Sequence, residues 1–153
     1  MASARVTALR ILAQRRLTEA QLWARLERKG FSDEDVRGAV QLCKRDGYLD
    51  DKLFAELFIE QKRKALGNAR LAGELVKRGI DREVAALAVR RASIDEATRA
   101  DEAIAKLFRT KSTLSYPSAA RSLERLGFPA SLIYRKLREH ASTFGPLAGD
   151  GPF

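Results

Sequence analysis

The sequence holds one cysteine, one histidine, one methionine and one tryptophan among 153 residues, and four prolines. A lone cysteine, Cys43, excludes an internal disulfide and suits a reducing compartment. A lone histidine, His140, stands at the expected end of the last helix, where it reads as a group facing the helix dipole rather than as an acid or base. No spacing of His, Cys, Asp and Glu matches a metal motif. "GNARLAG" (67–73) lacks the following Lys-Ser/Thr of a phosphate-binding loop, so no metal or cofactor is expected. No apolar run approaches the ~20 residues that span a bilayer. The Arg-rich opening "MASARVTALRILAQRR" has no apolar signal segment with a small-residue cleavage site and reads as an ordinary first helix. Convincing strand alternation is missing too. The acidic pair Asp50–Asp51 is too common a feature to count as catalytic. These absences point away from an enzyme and towards a cytoplasmic protein.

Positive charge is what the chain has in excess. Lys and Arg number 29 against 20 Asp and Glu, a net charge of +9. Such an excess concentrates polyanions near the surface and speeds encounter with them, without conferring sequence specificity. The excess falls along the chain, from ten cations against six anions in 1–49, to ten against seven in 50–94, to nine against seven in 95–153. Apolar residues make up 45% of the chain, enough for a folded core.

A short pattern recurs three times: "LERKGF" (26–31), "LVKRGI" (75–80) and "LERLGF" (123–128). Gly30 and Gly79 are 49 residues apart, Gly79 and Gly127 48. Leu26, Leu75 and Leu123 stand four residues before each glycine, with Leu22, Leu71 and Ala119 eight before. Val36, Ala85 and Ile133 stand six after, with Val40, Val89 and Leu137 ten after. Each pair is an i,i+4 pair on one helix face, so each glycine separates two amphipathic helices and reads as a helix C-cap. Thr18 opens a capping box in "TEAQ", and Gly67–Asn68 and Ser115 occupy the same offset. Ser32 and Asp81 read as N-caps of the helices that follow the glycines, and Pro129 fits a helix's first turn. A further helix opens each unit. The spacing therefore predicts an all-α protein of three tandem three-helix repeats, 4–47, 51–93 and 95–140, packed in series into an elongated body, with a Gly- and Pro-rich disordered tail at 141–153.

The central segment "DDKLFAELFIEQKRKALGNARLAGELVKRGI" (50–80) resembles the signature of the RecX regulatory proteins. The matching positions are Asp50, Asp51, Phe54, Ala55, Phe58, Gly67, Arg70, Glu74, Leu75, Gly79 and Ile80, and "ARLERKGFSDEDV" (24–36) resembles the family's first unit. The third unit keeps only the frame. The resemblance implies an all-helical three-repeat modulator that lies in the groove of the RecA–DNA filament and limits recombinase, ATPase and coprotease activity. It implies the RecA filament as partner, weak non-specific contact with single- or double-stranded DNA, and a monomer.

Candidate contact residues are the basic helix ends Arg28, Lys29, Lys62, Arg63, Lys64, Lys77 and Arg78, with Arg70 and the turn residue Tyr48. Cations at helix ends also compensate the helix dipole, by ~0.3–1 kcal/mol each, with no partner required. Leu126, where the other two units carry Lys29 and Arg78, weakens any basic stripe in the third unit. Arg70 and Glu74 have i,i+4 spacing and read as a helix-stabilising pair. Trp23, Phe54 and Phe58 read as core, and Tyr116, like Tyr48, as a turn residue. Two other function classes fit three-helix units. A helix-turn-helix DNA binder is one, although Asp33, Glu34 and Asp35 would open its recognition helix with repulsion. A helical-repeat scaffold for another protein is the second.

Overall fold

The structure, a computed structural model, describes residues 2–62 and 64–144. Among the described residues there are nine helices and no strand: α1 (Ala4–Gln14), α2 (Glu19–Arg28), α3 (Asp33–Arg45), α4 (Asp51–Gln61), α5 (Asn68–Lys77), α6 (Arg82–Arg90), α7 (Glu96–Thr110), α8 (Tyr116–Arg125) and α9 (Ala130–Phe144). They follow the expected rhythm of three sets of three. Compactness divides the chain differently. One compact unit holds the residues up to Ile59 together with Glu74–Ala88; the other holds Glu60–Gly73 and the residues from Val89 onward. Helix α5 thus gives its first turns to one unit and its last to the other.

In the first unit, Ala8, Leu22, Leu26, Val36, Val40 and Cys43 form the buried centre, with Trp23 and Phe31 packed on its flank. Burial raises the pKa of the Cys43 thiol and keeps it protonated. In the second, Ile104, Tyr116, Leu123, Phe128, Ile133 and Leu137 do the same. The leucines and valines flanking the repeated glycines are buried as their spacing requires.

The three glycines have the backbone that their position predicts, with φ of 92°, 91° and 93° at Gly30, Gly79 and Gly127. At each, two N–H groups turn back on the helix. Those of Gly30, Gly79 and Gly127 donate to Glu27, Val76 and Glu124. Those of Phe31, Ile80 and Phe128 donate to Leu26, Leu75 and Leu123. This is the Schellman closure, and it gives the leucine a double duty: its side chain is core while its carbonyl takes the closing bond.

Two of these glycines do more. A Cβ on Gly79 would lie 2.3 Å from Ala20 Cβ, in the first turn of α2. One on Gly127 would lie 2.4 Å from Arg70 Cβ and 2.6 Å from its backbone nitrogen, in the first turn of α5. At Gly30 nothing stands within 4 Å. The contacts carry hydrogen bonds. Thr18, which closes its expected capping box on Gln21, also donates its hydroxyl to the Arg78 carbonyl at 2.6 Å. The Gly67 N–H donates to the Leu126 carbonyl at 2.8 Å. The end of α5 is thereby seated on the start of α2, and the end of α8 on the start of α5, each satisfying carbonyls that a helix end leaves without internal partners. Carboxylates of the following set complete both joints. Asp51 accepts the Glu19 N–H at 2.9 Å, and Glu96 accepts the Asn68 N–H at 2.6 Å.

Three expectations are corrected in the second unit. Tyr116 is the first residue of α8 and is fully buried rather than presented on a turn. Helix α9 runs to Phe144, four residues beyond the expected boundary, because Phe144 packs on His140 and the Ser142 and Thr143 hydroxyls donate back to the Glu139 carbonyl; residues 145–153 of the expected tail lie outside the described residues. His140 is therefore not at a helix end. It stacks on Phe108 at 4.3 Å, and its Nδ1 lies 3.2 Å from the Tyr116 hydroxyl. Burial lowers its pKa, so the neutral ring is the form that fits.

Two outcomes follow. We predict that Gly30→Ala costs about 1–2 kcal/mol, the penalty for a Cβ in the left-handed region. Gly79→Ala and Gly127→Ala should cost about 1–3 kcal/mol more from overpacking, visible as lower thermal midpoints. Equal losses at all three would refute the joint. For His140, a folded-state pKa below the usual value stabilises above that value and loses the contribution as pH falls through the folded one. The melting temperature should therefore drop from about pH 7 to about pH 5, and His140→Asn, which keeps an acceptor for Tyr116, should flatten that part of the curve. An unchanged pH profile in the variant would count against this role.

Candidate functional site

The basic residues singled out in the sequence fall in both compact units. In the first unit, Arg28 ends α2 and is exposed, as is Lys29 just after it; Lys77 ends α5 and is exposed. The seat of α5 on the start of α2 separates these pairs by the length of α2, ~15 Å for ten residues. Arg78 is tied down. Its guanidinium meets the Glu74 carboxylate at 3.0 Å and lies 4.5 Å above the Phe58 ring, while its carbonyl takes the Thr18 bond. Glu74 thus pairs forward with Arg78 in the more favourable order, acid before base. Tyr48 follows α3 in a turn and is 61% exposed.

In the second unit, Lys62 and Lys64 lie between α4 and α5, the former half-buried and the latter exposed. Arg63 lies outside the described residues. Arg70, in the first turn of α5, donates from its guanidinium to the Arg125 carbonyl at 3.0 Å. This bond brings Arg70 beside two cations that the sequence reading did not single out, Lys106 on α7 and Arg125 on α8. With Lys64 they surround a pocket of about 410 Å³ floored by Ala65, Leu107 and Leu126. Among the described residues no carboxylate lines it. The Arg125 guanidinium is steadied in turn by the Ser122 hydroxyl at 3.2 Å. The repeat itself carried a signal for Arg125, which occupies the offset of Arg28 and Lys77. Nothing in the sequence pattern marks Lys106.

The turn that joins Lys64 to Arg70 is held by a buried arginine. Arg99, on α7, is 7% exposed. Its Nε donates to the Ile94 carbonyl at 3.1 Å, and its two terminal nitrogens reach the Leu66 carbonyl and the Asn68 side-chain oxygen. Burial lowers its pKa from the usual guanidinium value, while Glu96 and Asp95 act in the opposite sense. Glu96, one turn earlier on the same helix, takes the Asn68 N–H. Together they clamp 66–68, the turn between Lys64 and Arg70. The geometry suits electrostatic recognition. Among the described residues no group of three or more His, Cys, Asp or Glu is placed to hold a metal ion, and no helix is long and apolar enough to cross a membrane.

Comparison with known proteins places these helices. The model for "RecX, first three-helix domain" matches residues 4–41, and that for "RecX, second three-helix domain" matches 50–89. The regulatory protein RecX of Thermobifida fusca is 33% identical over 94% of this chain and 82% of its own length. The chain belongs to the RecX family. A RecX protein of Thermus thermophilus is 32% identical over 86% of this chain and 87% of its own. A crystal structure of RecX from Lactobacillus salivarius shares the fold at a TM-score of 0.79, with 19% identity, across 89% of this chain and 93% of that one. The two RecX matches fall on the first two helix sets, the first ending within α3 and the second one residue before the end of α6. Asp50 and Asp51, motif residues of the resemblance, are structural in this RecX-family chain: Asp50 caps α4 through the Leu53 N–H at 3.1 Å, and Asp51 caps α2.

We predict that Arg99→Ala destabilises the protein by about 3 kcal/mol, because it leaves the buried Leu66 carbonyl and the part-buried Ile94 carbonyl and Asn68 side-chain oxygen without this donor. Arg99→Lys should recover little, since one ammonium cannot serve three fixed acceptors. Thermal unfolding of the two variants checks this; a loss under about 1 kcal/mol for Arg99→Ala would be the contrary result.

Proposed function

We propose that this chain is a non-enzymatic regulator of the RecA recombinase, acting in the cytoplasm by binding the RecA–DNA filament and inhibiting its recombinase, ATPase and coprotease activities. The observation that carries the reading is membership of a family of regulatory proteins over almost the whole chain. The net charge of +9 supports it, because a filament on DNA presents phosphate. The exposed Lys64, Lys77, Arg28 and Lys29, with Lys62, Arg63, Arg70 and Tyr48, are the proposed contacts. Direct DNA binding would be weak, insensitive to sequence and strongly reduced by salt.

A helix-turn-helix reading is disfavoured by local charge. Helix α3 opens with the exposed Asp33, Glu34 and Asp35, which would meet phosphate with like charge. Helix α6 is largely small and apolar between its end arginines.

The test is a titration of RecA ATPase on single-stranded DNA. The wild type should inhibit at substoichiometric amounts. Charge reversal at Lys62, Arg63 and Arg70 together should raise the concentration required by about tenfold or more, with unchanged helicity by circular dichroism. An untouched ATPase, together with tight binding of one short duplex sequence, would replace this reading with a sequence-specific DNA binder. Equal inhibition by both proteins would move the contacts elsewhere.

A further inference from the structure

The pocket between the start of α5, α7 and the end of α8 has a chemistry that general attraction to phosphate does not require. We propose that it is a docking site for an acidic protein segment that inserts an apolar side chain, with Lys64, Arg70, Lys106 and Arg125 holding the flanking carboxylates. This goes beyond the RecA reading and would stand with any acidic protein partner.

Three observations carry it. First, among the described residues four cations and no carboxylate line one concavity of about 410 Å³, at the small end of the range for ligand sites. Two of the cations are held in place, Arg70 by the Arg125 carbonyl and Arg125 by Ser122. Such pre-organisation lowers the ordering cost of binding, and a planar guanidinium matches a carboxylate with two parallel bonds. Second, the floor is apolar where the repeat would supply a cation. Leu126 stands at the offset of Lys29 and Arg78, and with Ala65 and Leu107 it is only partly buried against the core. A surface built only to attract phosphate gains nothing from losing that charge. A surface that must bury a guest's apolar side chain does, because transfer of that side chain from water is favourable. Third, among the described residues no aromatic side chain lines the pocket, so they offer no platform on which a nucleic-acid base would stack.

The test uses the full chain and three fluorescent probes in a polarisation assay. They are a capped acidic pentapeptide with a central phenylalanine, the same peptide with a central glycine, and an oligothymidylate of equal charge. The phenylalanine peptide should bind tightest. Lys106→Glu with Arg125→Glu should weaken it by about tenfold or more. Leu126→Lys, which restores the residue type of the sister repeats, should abolish the preference for phenylalanine over glycine while leaving charge attraction intact. Equal binding of the two peptides by the wild type, or displacement of the phenylalanine peptide by oligothymidylate at equal concentration, would overturn the proposal. If a variant fails to fold, the wild-type comparison of the three probes still decides. The RecA titration is a separate measurement, so failure of one reading leaves the other standing.

Discussion

The approach of a helix end to the first turn of another helix, with no side chain between them, governs how this protein is built. A helix end is a poor thing to bury, because its last carbonyls and the other helix's first N–H groups lack internal partners. At Gly79 and Gly127 the two deficits face each other. The positive φ turns the chain off the helix, and the missing Cβ lets the next element come within bonding reach. Thr18 and Gly67 then donate into the exposed carbonyl ends. At Gly79 and Gly127 one residue type thus serves local chain reversal and tertiary contact together.

The acids and bases of the chain divide along the same line. Asp51 and Glu96 sit at first turns of helices and reach N–H groups of another helix, so their charge is spent on helix starts. Arg99 and Arg78 are tied to carbonyls, a carboxylate and a ring inside the fold. The exposed cations include Arg28, Lys29 and Lys77 in one unit, and Lys64, Arg70, Lys106 and Arg125 in the other. The positive surface follows from the chain's net charge of +9. Under the proposed function such a surface would hasten encounter with a polyanionic assembly, and the shape beneath the charges would decide what is held.

The third set of helices shows how a repeat can keep its frame while changing its use. It retains Leu123, Gly127 and Phe128, hence the same closure and the same buried positions. Its differences fall where the frame allows them. Leu126 replaces a cation, and Tyr116 fills the centre of the unit against Phe108 and His140. The aromatic cluster around His140 gives this unit a packing mode that the first, built on Leu22, Leu26 and Val36, does not share.

Much of the fold was legible along the chain. Period and capping residues are local, and an i,i+4 leucine pair ending at a glycine means the same thing in any context, so the three helix sets, the Thr18 box, the Ser32, Asp81 and Ser115 caps and the buried Cys43 were set by the sequence alone. Relations between distant residues were not legible. Gly30, Gly79 and Gly127 look alike in sequence, yet two abut another helix and one faces open space. Arg99 looks like one more surface cation, and only the turn at 66–68 folding over it makes it buried. His140 looks like a helix terminus until Phe108 and Phe144 close around it. Lys64, Arg70, Lys106 and Arg125 are spread over some sixty residues and become one site because the end of α8 sits on the start of α5. Local rules act through the few residues that a helix turn can reach, whereas burial and convergence depend on which surfaces meet, and that only the tertiary structure decided.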